Sequence, residues 1–487
     1  MNFATILHQI ASRPELADHY LTDGLLTCHY PDIPGLLTTL DNYLSSQGVS
    51  PDECIALECI NSVPGALSIL LMLYRRQGFV LLPPSEKGEE LSQLKPIPGF
   101  CSRRIRVLPV SGDAVERWQN DPACYLTVDN HAPSGTDPLL PPDDIRGRLF
   151  LRTSGSMGTA KLVVHSHEGL LGNADNVRRK YGFSPEDRAT IPVPIFHMYG
   201  MGAELLPALL AGASIDLQQN TNLLKYLDRE RRFKPTIAFV TPNLVEMLLQ
   251  GKRTPTPYRV MVVSGQRFPQ DLFRAFDPLC GGRLVNQYGS SEMGAIAACE
   301  PDDPFELRLS SIGRPMPDVH LKLENIEEGI GELYCHHPYA YLGYMSEEGA
   351  WISRASEWHR TGDIGRPLDN GLIEVLGRAD DSVNRSGYLI LLADVERLMA
   401  TLPGIARVTV LATREVQRIH GQQIVAFCQP TADAVPDVES IRQAALQIMP
   451  RHAIPDQIHL LNELPLLPSG KIDRQTLLLF AGSNHHV

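Results

Sequence analysis

The chain has 487 residues, too many for one compact core, and its 43% hydrophobic and 21% charged residues are the proportions of a folded globular enzyme. A formal net charge of −12 with no Lys/Arg-rich run excludes nucleic acid as the main partner, because a phosphate backbone requires a basic stripe. No apolar run reaches the roughly 18 residues of a membrane span, and the longest, ALSILLMLYRRQGFVLL, is broken by Arg75, Arg76 and Gln77. MNFATILHQIASRPEL lacks the basic-then-apolar layout of a secretory signal, and nine cysteines without CxxC spacing read as reduced thiols, so a cytoplasmic protein is expected. His336–His337 and His485–His486 read as loop and tail histidines, not metal ligands.

Taken in chain order, GLLTTLDNYLSSQGV predicts an amphipathic helix ending at Gly48. ECIALECI predicts a buried strand, GALSILLMLYRRQ a helix, and FVLLPP a strand stopped by prolines. This is the βαβ rhythm of a parallel sheet. Residues 127–146, rich in Pro, Asp and Gly, are expected to form a loop. RGRLFLRT and KLVVHSH then predict strands, HEGLLGNADNVRRKYG a helix, and TIAFVTP, YRVMVVSG and RLVNQYG further strands. From about 305 to 378, short strands with Gly and Pro turns (HLKLE, GELYCHH, GLIEVLG) suggest a small β subdomain. After Asp380 the pattern becomes α+β: DVERLMATLP and VESIRQAALQIM as helices, RVTVLATREV and QQIVAFCQP as strands.

Between two of these strands lies TSGSMGTAK. Glycines let backbone N–H groups approach an anion, hydroxyls add donors, and a lysine adds a point charge. Thr153, Ser154, Gly155, Ser156, Gly158 and Lys161 therefore form a candidate phosphate cradle, although the GxxxxGK[ST] pattern is absent. NQYGSSE (Asn286–Glu292) follows a strand and ends in a carboxylate suited to Mg²⁺. WHRTGDIG places Asp363 where it could accept from ribose hydroxyls, and LPSGKIDR places Lys471 on a Gly-Ser loop.

In this order and spacing, the motifs resemble those of the adenylate-forming superfamily: acyl-CoA synthetases, adenylation domains of nonribosomal peptide synthetases, and luciferase. TSGSMGTAK resembles the family's TSGSTGxPKG, YGSSE its YGxTE, RTGDIG its TGD, GRADDSVNRSGYLI its GRxDDxxNxxG, and LPLLPSGKIDR its PxxxSGKxxR. Met157, Ala160 and Leu162 depart from the pattern, and the loss of one hydroxyl implies slower adenylation. The resemblance implies an α/β fold: a large N-terminal domain (1–379) of parallel sheets with helices, including the β subdomain, followed by a mobile α+β C-terminal domain (380–487). It also implies an AMP-forming acid–thiol ligase. MgATP would activate a small carboxylic acid as acyl-AMP, and the acyl group would pass to the pantetheine thiol of CoA or of an acyl or peptidyl carrier protein.

By the same resemblance, residues 153–161 bind the β- and γ-phosphates, while Ser291 and Glu292 meet the α-phosphate and Mg²⁺. Asn286, Gln287, Tyr288 and Gly289 line the adenine and acyl sites. Asp363 and Arg378 hold the ribose, and Lys471 bridges ATP and the substrate carboxylate. Asp380 is the hinge and Gly387 lines the pantetheine tunnel. The acyl pocket begins at VPIFHMYGMG, with His197, Met198 and Tyr199, and continues at Gly265 and Gln266. Amino-acid-activating relatives carry an aspartate where this chain has His197. An acid without an α-amino group is therefore expected, aromatic or short-chain, unless Glu204, seven residues on, or a residue from a distant segment replaces that aspartate. Two alternatives are an amino-acid adenylation enzyme loading a peptidyl carrier and a nucleotide-binding relative without ligase activity.

Overall fold

The computed structural model describes residues 2–85, 94, 96–130, 142–153, 161–219, 221–251, 258–264, 268–327, 329–379, 382–385, 388–414, 422–431, 436–466 and 472–483. The chain divides into two compact units, the first comprising Met1–Gly155, Thr159–Leu321 and Cys335–His359, the second Ser156–Gly158, Lys322–Tyr334 and Arg360–Val487.

The first unit is built on two large sheets. In the eight-stranded sheet, Cys54–Glu58 pairs in parallel with Gly78–Leu82 and Cys101–Val107, and Gly78–Leu82 pairs in parallel with Arg148–Thr153. Every residue of Cys54–Glu58 and Gly78–Leu82 is buried, as parallel strands covered on both faces must be. The crossover is the helix Val63–Arg75. Ser62 caps it by accepting from Gly65 N, and it ends at Arg76 in the left-handed region. Arg148–Thr153 turns back antiparallel into Lys161–Ser166, followed by Gly343–Ser346 and Trp351–Arg354.

The nine-stranded sheet has a parallel centre. Arg188–Ile191 has Ser214–Leu217 on one side and Ile237–Val240 on the other, followed outward by Val260–Val263 and Leu284–Ser290. The strand order therefore reverses at Arg188–Ile191. Parallel sheets bind ligands beyond the carboxyl ends of their strands at such a reversal.

Two local expectations are corrected. Leu126–Asn130 is not loop but an edge strand, antiparallel to Cys101–Val107 and tied to it by the 2.9 Å Arg106–Asp129 ion pair. Its Asp and Asn sit on a half-exposed edge, where polar residues are tolerated. The β-rich stretch 305–378 begins with the helix Phe305–Ser310, and its strands divide among three sheets. Arg314–Pro315 joins the nine-stranded sheet and Gly343–Ser346 with Trp351–Arg354 the eight-stranded one. His320–Glu327, Ile330–His336, His359–Pro367 and Ile373–Arg378 form a four-stranded sheet.

In the second unit, Gln422–Pro430 pairs antiparallel with Ile405–Arg414 and in parallel with Gln457–Leu460. The strand alternation sends Ile424, Ala426 and Cys428 into one apolar cluster with Val395, Ile441 and Ala445. Val425 and Phe427 enter a second cluster, with Leu464 and Leu477. Both strand faces are thus covered by helices. All nine cysteines are free, and among the described residues no helix is long and apolar enough to cross a membrane.

Candidate active site

Of the phosphate-cradle residues, Thr153 and Lys161 form the last register pair between the antiparallel strands Arg148–Thr153 and Lys161–Ser166. Ser154, Gly155, Ser156 and Gly158 lie outside the described residues, as do Gly265, Gln266, Asp380, Gly387 and Lys471. On its other edge, Lys161 pairs with Ser346, so Tyr344 is its diagonal cross-strand neighbour. The Lys161 ammonium rests 3.5 Å from the centroid of the Tyr344 ring, and the Tyr344 hydroxyl donates to Glu292 Oε1 across 2.8 Å. One lysine and one carboxylate, read from motifs far apart in the chain, therefore meet on a single tyrosine. Burial and the Glu292 carboxylate hold the Tyr344 hydroxyl well above the ordinary phenol range, so it remains a donor.

The turn that carries Glu292 is fixed through three consecutive carbonyls. His165 Nε2 donates to Ser291 O at 2.7 Å, Tyr341 N to Glu292 O at 2.8 Å, and Asn173 Nδ2 to Met293 O at 3.1 Å. The next residue, Gly294, has φ +65°, and a Cβ there would stand 2.5 Å from the Asn173 amide, so only glycine fits. Burial lowers His165 to about 4 and His337, which reaches Ala295 O at 3.2 Å, also to about 4. Both rings are neutral at pH 7.

Within the strand Leu284–Ser290, Asn286 Nδ2 donates to Arg308 O at 2.7 Å, while Gln287 is buried and accepts from Tyr181 OH at 3.1 Å. Gln287 thus faces the interior, and Asn286 and Tyr288 face the opposite side by strand alternation. A Cβ at Gly289 would lie 2.4 Å from Gly294 O, so glycine permits close pairing of the two strands.

In the second unit, Asp363 and Arg378 are directly opposed on adjacent antiparallel strands. Arg378 Nη1 lies 3.3 Å from Asp363 Oδ1 and donates to Thr361 O at 2.9 Å. Gly362 between them has φ +75°.

On the acid side, His197 is exposed and stacks obliquely on Phe196 at 4.6 Å. Met198 is buried, and the Tyr199 hydroxyl lies 3.1 Å from both Val240 O and Val262 O, at the carboxyl ends of two parallel strands. The segment is held from below by Asn61, whose Nδ2 donates to Ile191 O and Val193 O and whose Oδ1 accepts from Ile195 N. Tyr344, His165 and Asn61 escaped the sequence reading, because each acts through partners distant in the chain and sits in no chemical motif of its own.

Among the described residues, no group of three His, Cys, Asp or Glu side chains could enclose a metal. Glu292, with one oxygen engaged by Tyr344, fits a magnesium ion held mainly by phosphates and water.

Residues 90–345 match the model of the AMP-binding enzyme family, and residues 394–471 match that of the AMP-binding enzyme C-terminal domain. A salicylyl-CoA synthase / salicylate adenylyltransferase of Streptomyces is 28% identical over 355 residues, covering 69% of this chain and 64% of its own length. An indoleacetate–CoA ligase of Aromatoleum aromaticum is 26% identical over 472 residues, covering 91% of each. Bacitracin synthase 3 of Bacillus licheniformis is 24% identical over 463 residues, but the chain spans only 7% of it. In fold, the chain is similar to ATP-bound MatB from Rhodopseudomonas palustris, with a TM-score of 0.78 and 18% identity over the whole of both chains. The o-succinylbenzoate CoA synthetase of Bacillus subtilis gives a TM-score of 0.78 at 20% identity over 97% of each chain.

Proposed function

The chain belongs to the AMP-binding enzyme family, and from that premise we propose that it activates an aromatic or short-chain carboxylic acid with ATP and transfers the acyl group to a pantetheine thiol. In the first half-reaction a carboxylate oxygen attacks the α-phosphorus and pyrophosphate leaves. In the second, the thiol sulfur attacks the acyl carbon, loses its proton, and AMP leaves. The observation that carries this reading is the meeting of Lys161, Tyr344 and Glu292 at the mouth of the glycine-rich hairpin. Negative charge accumulates on the phosphates as the α-phosphorus is attacked, so fixed positive charge and oriented donors are what the protein can contribute.

In this reading Lys161 neutralises the outer phosphates and Glu292 holds Mg²⁺, which when bound offsets phosphate charge. Asp363 and Arg378 take the ribose. Lys471 meets the reacting oxygens, Asp380 turns the C-terminal domain, and Gly387 admits the pantetheine. The acceptor is CoA or a carrier protein. Relatives named for salicylate and indoleacetate support an aromatic acid. His197 supplies no counter-charge for an α-ammonium, and burial raises Glu204 well above the ordinary carboxylate range, which disfavours its charged form.

The test is ATP–pyrophosphate exchange over matched pairs: a benzoate against the aromatic amino acid of similar size, and a short fatty acid against alanine. The deaminated member should win by tenfold or more, about 1.4 kcal/mol. A win for an amino acid would move the protein to carrier loading. No exchange with any acid while ATP still binds would make it a nucleotide-binding relative.

A further inference from the structure

Glu292 is held at both of its ends by tyrosines. The Tyr344 hydroxyl donates to its carboxylate, and the backbone N–H of Tyr341 donates to its main-chain carbonyl at 2.8 Å. The two rings meet edge to face with centroids 5.1 Å apart, an arrangement aromatic pairs prefer. The segment that carries both tyrosines is stitched to the neighbouring strand. Leu342 N donates to Val164 O at 2.7 Å, and Gly343–Ser346 continues the pairing along Lys161–Ser166. Tyr344 thus stands within the sheet, whereas Tyr341 lies just before the strand and its ring depends on another anchor.

That anchor is His359. Tyr341 is only 7% exposed, so its hydroxyl has to find a partner inside the protein. It lies 3.1 Å from His359 Nδ1, and the phenol and imidazole rings meet edge to face at 5.2 Å. Burial first, and then the charge of Glu292, hold the Tyr341 hydroxyl above the ordinary phenol range, so it keeps its proton and donates. Nδ1 of a neutral His359 is then the acceptor. His359 is the first residue of the strand His359–Pro367, so the imidazole stands on a regular element and gives the phenol a fixed point. Glu292, Tyr341, Tyr344 and His359 all belong to the first unit. The route from His359 to the carboxylate is indirect, through the Tyr341 main chain and through the Tyr344 ring.

We propose that Tyr341 and His359 are positioning residues for the metal-holding carboxylate of Glu292: their hydrogen bond fixes the ring and the backbone N–H against which Tyr344 and the Glu292 turn are set. The proposal rests on the function put forward above, in which Glu292 holds Mg²⁺. Magnesium demands near-octahedral geometry with ligands at about 2.0–2.1 Å, so a carboxylate free to swing gives up much of its worth to the ion. Holding Glu292 at both its carbonyl and its carboxylate removes that freedom before the ion arrives. Groups that orient metal ligands from behind contribute about 10–100-fold to metal affinity.

The experiment measures Mn²⁺ binding to the full chain by electron paramagnetic resonance, with α,β-methylene-ATP present because it cannot be cleaved at the bond that adenylation breaks. Tyr341→Phe keeps the ring, its contact with Tyr344 and the backbone N–H, and removes only the hydroxyl. It should weaken Mn²⁺ about fivefold or more. His359→Leu should weaken it by a similar factor, and the double variant no further than either single one, since both remove the same bond. His359→Asn, which puts an amide oxygen near the place of Nδ1, should restore the affinity to within about twofold of the parent. In pyrophosphate exchange the Mg²⁺ concentration for half-maximal rate should rise in step with the Mn²⁺ loss, while the KM for the acid stays as it was. Urea midpoints confirm that each variant folds. Parental Mn²⁺ affinity in Tyr341→Phe, an asparagine variant as weak as the leucine one, a double variant whose loss is the product of the two singles, or equal rises in the Mg²⁺ requirement and the KM for the acid would each overturn the proposal. Glu292→Gln separates the two kinds of failure. If it weakens Mn²⁺ while the tyrosine and histidine variants do not, this inference falls alone; if it too leaves the affinity unchanged, the assignment of Mg²⁺ to Glu292 falls with it.

Discussion

The Tyr344 hydroxyl donates to the Glu292 carboxylate across 2.8 Å, while the face of the same ring lies 3.5 Å from the Lys161 ammonium. One side chain thus orients both charged groups of the proposed phosphate site. Tyr344→Phe keeps the ring and removes the donor. A hydrogen bond to a charged group contributes about 1.5–3 kcal/mol, so pyrophosphate exchange should fall about tenfold or more with little change in urea stability. Tyr344→Leu also removes the cation–π contact and should fall further. Unchanged exchange in the phenylalanine variant would show that Glu292 holds its position without Tyr344.

Acid should loosen the turn that carries Glu292. His165, His337 and His167 are all lowered by burial, to about 4, about 4 and about 3. In the unfolded chain they bind protons near the ordinary histidine value of about 6.5. Between those limits the unfolded state holds more protons, so stability falls as pH falls, and it is fully retained above about 6.5. Each ring contributes up to about 3 kcal/mol to that loss. Urea midpoints measured from pH 7 to 4.5 should drop steeply. His165→Asn, which keeps a donor for Ser291 O but cannot titrate, should flatten the slope by one proton. An unaltered slope would mean that His165 is not buried neutral.

What could be read from the sequence follows from where each signal is stored. The helix Val63–Arg75 announces itself locally, through the Ser62 cap, an apolar run interrupted by Ser68 and the Arg-Arg-Gln-Gly exit. Lys161, Glu292 and Asp363 sit inside short motifs whose composition already suggests phosphate, metal and ribose chemistry. The groups that orient them are not local. Tyr344 reaches Glu292 across 52 residues, His165 reaches Ser291 across 126, and Asn61 reaches Ile195 across 134. Only the sheet pairings bring these together. The strand Leu126–Asn130 was hidden for a related reason, since its Asp129 is matched by Arg106 on the neighbouring strand and not by anything nearby in the chain.

Asn61 is the tie between two sheets. It follows the strand Cys54–Glu58 of one and uses both amide hydrogens and its amide oxygen on Ile191, Val193 and Ile195, at and just after the end of a strand of the other. Asn61→Ala leaves Val193 O and Ile195 N without that partner, while Ile191 O keeps Gln218 N at 3.0 Å, which should cost about 2–4 kcal/mol in urea unfolding. Because those groups lead into Phe196 and His197, the KM for the acid should rise several-fold more than the KM for ATP. Equal changes in both would confine Asn61 to general stability.

Lys471 lies outside the described residues, so its prediction rests on the proposed function. Lys471→Ala should reduce adenylate formation by about 10²-fold or more, the effect of losing one charged contact in a closed site. Thioester formation from supplied acyl-adenylate should largely survive, because that half-reaction no longer involves the carboxylate and α-phosphate being joined. Equal loss in both assays would place the lysine elsewhere.

The ribose pair can be tested without touching either member. Gly362 has φ +75°, and a Cβ at that position would stand 2.6 Å from Arg378 Nη2. The guanidinium is held there by Thr361 O at 2.9 Å and by Asp363 at 3.3 Å. Gly362→Ala therefore acts twice. The left-handed conformation costs a non-glycine residue about 1–2 kcal/mol, and the new methyl drives the guanidinium from its seat. Asp363 would lose its cation while keeping its backbone position in the strand, since its N–H is held by Thr361 Oγ1 at 3.1 Å. If Asp363 and Arg378 together hold the ribose, the KM for ATP should rise about tenfold, with the KM for the acid unchanged. Deoxygenated ATP analogues should lose less affinity in the variant than in the parent, because the contact they lack is already weakened. A variant that discriminates against 2′- and 3′-deoxy-ATP as strongly as the parent would remove this pair from nucleotide recognition and leave it a strand-pairing contact.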